Sequence, residues 1–208
     1  MIYIAIDLDD TMVDTLPELH DQLTELTGKE FPRNTFLTPE STDGALSVIL
    51  ESGKFMTTAK PNPVFINGLN RAKRLLTEAF TVKFGVCTHR GYHKDAEALT
   101  KPMLDNCGFV FDFEHYIDPS IHHDKMAYLN SIYNNPGDIV ILVDDRPTNG
   151  VKGSFNFNVL LMSKPWNADV MAPKLNRVDN VLELCDLLVG LVTRRVVDSM
   201  ITDTEEAL

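Results

Sequence analysis

Short runs of β-branched and aliphatic residues that stop abruptly at acids or hydroxyls constrain this chain more than any other feature. Ile2 to Ile6 runs straight into Asp7-Leu8-Asp9-Asp10-Thr11, Val82 to Val86 into Cys87-Thr88-His89-Arg90-Gly91, and Ile139 to Val143 into Asp144-Asp145-Arg146-Pro147. A fourth run, Phe157 to Leu161, leads to Lys164-Pro165-Trp166-Asn167. An apolar run without polar alternation is the pattern of a strand covered on both faces, which a parallel sheet between helices provides. The intervening stretches are amphipathic. Val64, Phe65, Leu69, Ala72, Leu75, Leu76 and Ala79 fall near helical spacing after Pro61 and Pro63, and Lys125 to Tyr133 reads as a helix stopped by Asn134-Asn135-Pro136-Gly137. Val178 to about Val197 reads as a long helix, and Thr202 to Leu208 as a frayed acidic tail. Strands alternating with helices predict an α/β fold, a Rossmann-like parallel sheet flanked by helices.

Residues 15–60 break the alternation. They lack a buried-strand run, but Leu16, Leu19, Leu23 and Leu26 form a helical stripe and Leu46 to Leu50 a shorter one. The expected organisation is a core of residues 1–14 and 61–208 with a small helical insert at 15–60, which suits a chain of 208 residues. Three widely spaced cysteines, Cys87, Cys107 and Cys185, with no CxxC, fit small core hydrophobes in a reduced compartment. The N-terminal apolar run is too short for a signal peptide and nothing downstream approaches a membrane span, so a cytoplasmic protein is expected. No GxGxxG or GxxxxGK[ST] phosphate loop is present.

Charge narrows the partners. A formal net charge of −11 disfavours sustained binding to long nucleic acid or an anionic membrane. A small anionic substrate is compatible only where local cations or a metal overcome that field.

The strand-end acids are the main chemical signal. Ligands of open α/β sheets bind beyond the carboxyl ends of strands, and residues i and i+2 leaving a strand face the same way, so Asp7 and Asp9 stand side by side. Adjacent carboxylates repel and are reconciled by a shared proton, a bound cation, or both. If the strands Ile2 to Ile6 and Ile139 to Val143 are neighbours, Asp144 or Asp145 closes a site with Asp7. An all-oxygen set with room for water suits Mg²⁺. Thr88 and Arg90 offer a hydroxyl and a guanidinium suited to phosphate oxygens. Lys125 opens a helix after His122-His123-Asp124. Taken singly, each element has a bland reading as a solvated strand-end acid or an ordinary lysine. Adjacent His122 and His123 point apart, so no histidine metal site is expected.

That ordered set resembles the haloacid dehalogenase-like (HAD) phosphohydrolases. Their DxDx[TV] motif is met by Asp7, Asp9 and Thr11, their strand-ending Ser or Thr by Thr88, their Lys by Lys125 and their acidic pair by Asp144 and Asp145. The insert is similar to the family's C1-type cap. The resemblance implies Asp7 as a nucleophile forming an aspartyl-phosphate, with Mg²⁺ held by Asp7, the Asp9 carbonyl and Asp144, assisted by Asp145. It implies Lys125 and Thr88 as stabilisers of the transferring phosphoryl group. Asp9 would protonate the leaving alkoxide and then deprotonate water, with a pKa raised by the crowded acids.

Within that superfamily, Asp144-Asp145-Arg146-Pro147 resembles the DDRP of 5'(3')-deoxyribonucleotidases. Lys164-Pro165-Trp166-Asn167 is similar to a PWN-type segment of that group, and Gly53-Lys54-Phe55 ahead of Pro61-Asn62-Pro63 to its return from cap to core. Thr88-His89-Arg90-Gly91 departs from the Thr/Ser-Pro of that group. The implied substrate is a small phosphorylated one, a deoxyribonucleoside 5'- or 3'-monophosphate. Phe36 and Phe55, with Phe31, are candidates to stack on its base, and Arg90 and Arg146 to hold phosphate or sugar; Arg146 alternatively orients the acidic pair. A homodimer is left open. A phosphatase of another metabolite or of polynucleotide ends shares the chemistry. A non-catalytic phospho-acceptor of the receiver type uses similar residues, but here Lys125 precedes the acidic pair.

Overall fold

The computed structural model describes residues 1–32, 37–146 and 156–206; Phe36 and Pro147 therefore lie outside the described residues. Its strands are β1 (Ile2–Ile6), β2 (Val82–Thr88), β3 (Phe113–Tyr116), β4 (Ile139–Asp144), β5 (Val159–Met162) and β6 (Arg177–Val178). Its helices are α1 (Thr15–Thr27), α2 (Ala45–Ser52), α3 (Lys54–Thr58), α4 (Pro63–Ala79), α5 (Ala96–Asn106), α6 (Lys125–Ile132) and α7 (Leu184–Glu206). The strands form one six-stranded sheet in the order β3-β2-β1-β4-β5-β6. Every pairing is parallel, giving an α/β Rossmann-like fold.

The strand period of two explains how both faces are covered. Ile4 and Ile6 point to a core shared with α4 (Phe65, Leu69, Leu76) and α7 (Leu184, Leu188, Leu191). Ala5 points the other way, to Cys87, Leu142 and the α6 residues Met126 and Leu129. Helix α4 starts where its sequence requires: Pro63 occupies the first turn, and the Asn62 side chain accepts hydrogen bonds from Val64 N at 3.0 Å and Phe65 N at 3.2 Å.

Register sets up the site. Ile6 stands opposite Val86 on one side and Val143 on the other, so Asp7, Cys87 and Asp144 stand at one level at the carboxyl ends of their strands. The Asp7 N–H donates to the Val143 carbonyl at 2.9 Å. The acid clusters ending β1 and β4 are thus neighbours.

Several boundaries differ from the sequence expectation. The strand expected at Phe157 to Leu161 is β5, Val159–Met162, and leaves Phe157 exposed, because buried Asn176 bonds the Phe157 and Val159 carbonyls, each at 2.9 Å, and ties the strand entrance down. Val178 does not open the long helix. It pairs with Met162 in the edge strand β6, and α7 begins at Leu184 after a 3₁₀ turn started by the Asn180 side chain. Helix α7 runs on to Glu206, through most of the expected frayed tail. Strand β3 and helix α5 carry no clear sequence signal: β3 is an edge strand of mixed polarity, and α5 contains Pro102.

Residues 15–32 and 37–60 form a helical layer, α1 to α3, with its own apolar centre of Leu16, Leu23, Leu37, Leu46, Ile49, Phe55 and Met56. The chain enters and leaves this layer side by side. Val13 bridges Pro61, and Asn62 N donates to the Met12 carbonyl at 2.8 Å. No helix among the described residues is long and apolar enough to cross a membrane.

Candidate active site

Lys125 opens α6 and reaches under the sheet ends, where its Nζ lies 2.6 Å from Asp7 Oδ1 and 2.9 Å from Asp144 Oδ2. One carboxylate oxygen from each of Asp7, Asp144 and Asp145 falls within 4.8 Å of the others, and all three residues are buried. The acidic pair is braced from both sides. Asp144 Oδ1 accepts Arg146 N at 2.9 Å, and Asp145 Oδ2 accepts Trp166 Nε1 at 2.7 Å. Asn167, itself buried, donates to the Asp145 carbonyl at 2.6 Å and the Met162 carbonyl at 2.8 Å. The Lys164 to Asn167 segment therefore fixes the second acid cluster.

The Lys125 ammonium lies between two of these three buried carboxylates, and Asp7 and Asp145 are both displaced toward the protonated form. Burial drives Asp7 well above the ordinary carboxylate range; Lys125 opposes this, while Asp144, Asp145 and Asp9 add to it. Burial and the Asp144 charge push Asp145 up to about 7, against Arg146, Lys125 and the Trp166 hydrogen bond. Burial disfavours the Lys125 charge, but Asp144 and Asp7 outweigh it and hold the ammonium protonated. The set is oxygen-only and short of positive charge, which is the donor chemistry of a hard divalent cation such as Mg²⁺.

Asp9 has a different environment. Asp10 adopts a left-handed backbone, φ 57°, and its carboxylate accepts Leu16 N at 2.9 Å. Asp9 receives Arg90 Nε at 3.0 Å on Oδ2 and 3.2 Å on Oδ1, Arg90 Nη2 at 2.7 Å on Oδ1, and the Thr15 hydroxyl at 2.7 Å on Oδ1. The expected upward shift of Asp9 is reversed. Burial raises its pKa, but the Arg90 charge, the Arg90 hydrogen bonds and the Thr15 hydroxyl together bring it below the ordinary value. Arg90, expected to hold phosphate or sugar, has no exposed surface, and its Nη1 donates to the buried Thr100 hydroxyl at 3.0 Å. The following Gly91 allows this turn to press on the end of β3: a Cβ there would lie 2.5 Å from the Ile117 carbonyl carbon and 2.6 Å from Tyr116 O. Thr88 is fully buried, its hydroxyl oxygen accepting Arg90 N at 3.4 Å.

A cavity of about 300 Å³ lies over these groups. Its floor holds Asp7, Asp9, Lys125, Asp145 and Arg146, its roof Leu16, Leu19, Leu37, Leu46, Leu50 and Phe55, and its walls His89, Tyr92 and Pro119. Phe55 lines it, and His122 and His123 are exposed. His89 contacts the His122 carbonyl at 2.9 Å, and burial together with Lys125 lowers its pKa. Thr15, Tyr92 and the roof leucines were not singled out from sequence. The Leu16 and Leu19 stripe was visible, but spacing alone does not tell a core stripe from a cavity roof.

Two solved structures share this architecture over nearly the whole chain. A haloacid dehalogenase-like family hydrolase from Streptococcus pneumoniae matches with a TM-score of 0.55 and 14% identity, over 89% of this chain and 97% of that one. A HAD-superfamily hydrolase of subfamily IA from Geobacter sulfurreducens matches with a TM-score of 0.52 and 14% identity, over 90% of this chain and 99% of that one. The fold is that of the HAD-like hydrolases. No protein-family model matches the sequence, and no curated protein matches it. In this HAD-like fold, the buried acids and Lys125 stand beyond the carboxyl ends of β1 and β4, the ligand-binding edge of an open parallel sheet.

Proposed function

We propose that this protein is a Mg²⁺-dependent phosphomonoesterase acting on deoxyribonucleoside monophosphates, with residues 15–60 as a cap over the reacting group. The observation that carries this reading is the buried cluster of Asp7, Asp144, Asp145 and Lys125, of which Asp7, Asp145 and Lys125 line the floor of a cavity with an apolar roof.

A phosphate dianion approaching Asp7 meets repulsion of about 4 kcal/mol per charge pair at ~4 Å and an effective dielectric near ~20. Lys125, already 2.6 Å from the attacking carboxylate, offsets part of that repulsion and orients Asp7. Mg²⁺ held by Asp7, the Asp9 carbonyl, Asp144 and Asp145 would neutralise charge on the transferring phosphoryl oxygens. Asp7 attacks phosphorus, the ester P–O bond breaks, and Asp9 gives its proton to the leaving oxygen. Asp9 is a carboxylate in the free site and takes up that proton as a substrate dianion settles beside it, since nearby negative charge favours the neutral acid. It then removes a proton from the water that attacks the phosphoaspartate, releasing inorganic phosphate and restoring Asp7.

The roof supports a nucleotide over a sugar phosphate. Leu16, Leu19, Leu46 and Leu50 offer apolar surface to the face of a base and to a deoxyribose. Hydroxyls placed there without partners cost about 1–3 kcal/mol each. A hydrolysis panel in Mg²⁺ or EDTA, offering deoxynucleotides, ribonucleotides, sugar phosphates and p-nitrophenyl phosphate, tests the reading. Deoxynucleotides are expected to give kcat/KM at least ~10-fold above sugar phosphates. Equal turnover of the two removes the nucleotide assignment. Absence of Mg²⁺-dependent phosphate release removes the enzyme assignment, and full activity in Asp7→Asn removes Asp7 as the nucleophile.

A further inference from the structure

We propose that Arg90 is a positioning residue for Asp9, fixing which oxygen of that carboxylate meets the leaving group, and that it does not touch substrate. The inference rests on the phosphatase reading. Asp9 lines the cavity, whereas Arg90 lies behind it with no exposed surface. All three guanidinium nitrogens are committed: Nε and Nη2 to Asp9, Nη1 to Thr100 on α5. The Phe55 ring lies 5.6 Å from the guanidinium carbon and helps seal it from the cavity. A guanidinium held in this way grips a carboxylate in a fixed plane.

The grip is asymmetric. Oδ1 of Asp9 accepts the Thr15 hydroxyl, Arg90 Nη2 and Arg90 Nε, whereas Oδ2 accepts Arg90 Nε alone among the described residues. Oδ2 is therefore the atom left to carry the transferable proton. When the ester P–O bond breaks, its electron pair stays on the leaving oxygen. The Oδ2–H bond breaks, the proton passes to that oxygen, and Asp9 returns to a carboxylate against Arg90.

A residue acting through the general acid matters most where the leaving group needs a proton. The test measures kcat for the wild type, Arg90→Lys, Asp9→Asn and Asp9→Asn/Arg90→Met on two substrates. These are p-nitrophenyl phosphate, whose leaving group needs little protonation, and the best alkyl monoester of the panel. Positioned general acids contribute roughly 10²–10⁴-fold, so Arg90→Lys is expected to lose at least ~100-fold on the alkyl ester and under ~10-fold on the aryl one. In the Asp9→Asn background, loss of Arg90 should change neither rate by more than ~3-fold, because residues acting as one unit are not additive. Equal losses on both substrates, or a further ~10-fold loss in the Asp9→Asn background, overturns the proposal. If Arg90→Lys does not fold, the double variant, which buries no unpaired charge, decides by comparison with Asp9→Asn. A wild type inactive on every monoester overturns the phosphatase reading and this one with it; an active wild type with unsplit losses overturns this one alone.

Discussion

Replacing Lys125 with Met keeps most of the side-chain length and removes the ammonium that lies between Asp7 and Asp144. At ~3 Å and an effective dielectric near ~20, each contact is worth about 5 kcal/mol of gross attraction. Much of this offsets the cost of burying the ammonium, and removing one partner of a buried ion pair typically costs about 3–5 kcal/mol net. Asp7 and Asp145 limit the loss, because both carboxyls are already displaced toward the protonated form and can take up protons when the cation goes. The low end, about 3 kcal/mol, is therefore expected in EDTA at alkaline pH, and less in mild acid. For a chain of this length that is a fall in Tm of roughly 6–12 °C. Scanning calorimetry in EDTA and in millimolar MgCl₂, at mildly acidic and mildly alkaline pH, measures it. Mg²⁺ should narrow the gap between variant and wild type by supplying the missing positive charge. A variant melting within about 2 °C of wild type in EDTA, or a gap that neither pH nor Mg²⁺ changes, would refute this reasoning.

The raised carboxyls also set a pH slope. Folded, metal-free protein retains protons on Asp7 and Asp145 that the unfolded chain releases near pH ~4, so its stability should fall as pH rises from about 4 to 5.5, by up to ~1.4 kcal/mol per unit per proton, before the lowered His89 and His115 act with the opposite sign. Urea titrations in EDTA at stepped pH would show it, Mg²⁺ should flatten it, and a stability that climbs across that window contradicts the sign. Trp166→Phe keeps the ring but removes the N–H donor to Asp145 Oδ2. Titration calorimetry should find Mg²⁺ affinity lowered by about 10-fold with Tm nearly unchanged; unchanged affinity would mean that Asp145 needs no brace.

The strands that build the site were legible because Ile2 to Ile6 and Ile139 to Val143 are apolar throughout and Val82 to Val86 is interrupted only by Lys83 at its exposed entrance, a composition that fits the centre of a covered sheet. The edges were not. Strand β3 mixes Phe113 and Tyr116 with Glu114 and His115, and β6 is two residues long, so neither carries a periodic signal. Val178 illustrates the ambiguity, since one apolar residue ahead of a leucine-rich stretch reads as helix until its strand partner Met162 is known. The meeting of Asp7 with Asp144 and Lys125 could be anticipated because each stands at the start or end of an element. The pairing of Asp9 with Arg90 could not. A guanidinium just beyond a strand can turn toward the ligand or toward the fold, and packing on Thr100 and Phe55 decides that choice.

The paired crossing at Val13 and Pro61 has a mechanical consequence. Immediately beyond it, Thr15 holds Asp9 and Leu16 holds Asp10, both from the first turn of α1. Any outward swing of the helical layer about that crossing has to carry these two anchors with it. On the proposed mechanism the layer and Asp9 would behave as an interlock: opening the doorway to bulk water would loosen the carboxylate assigned there to activate that water.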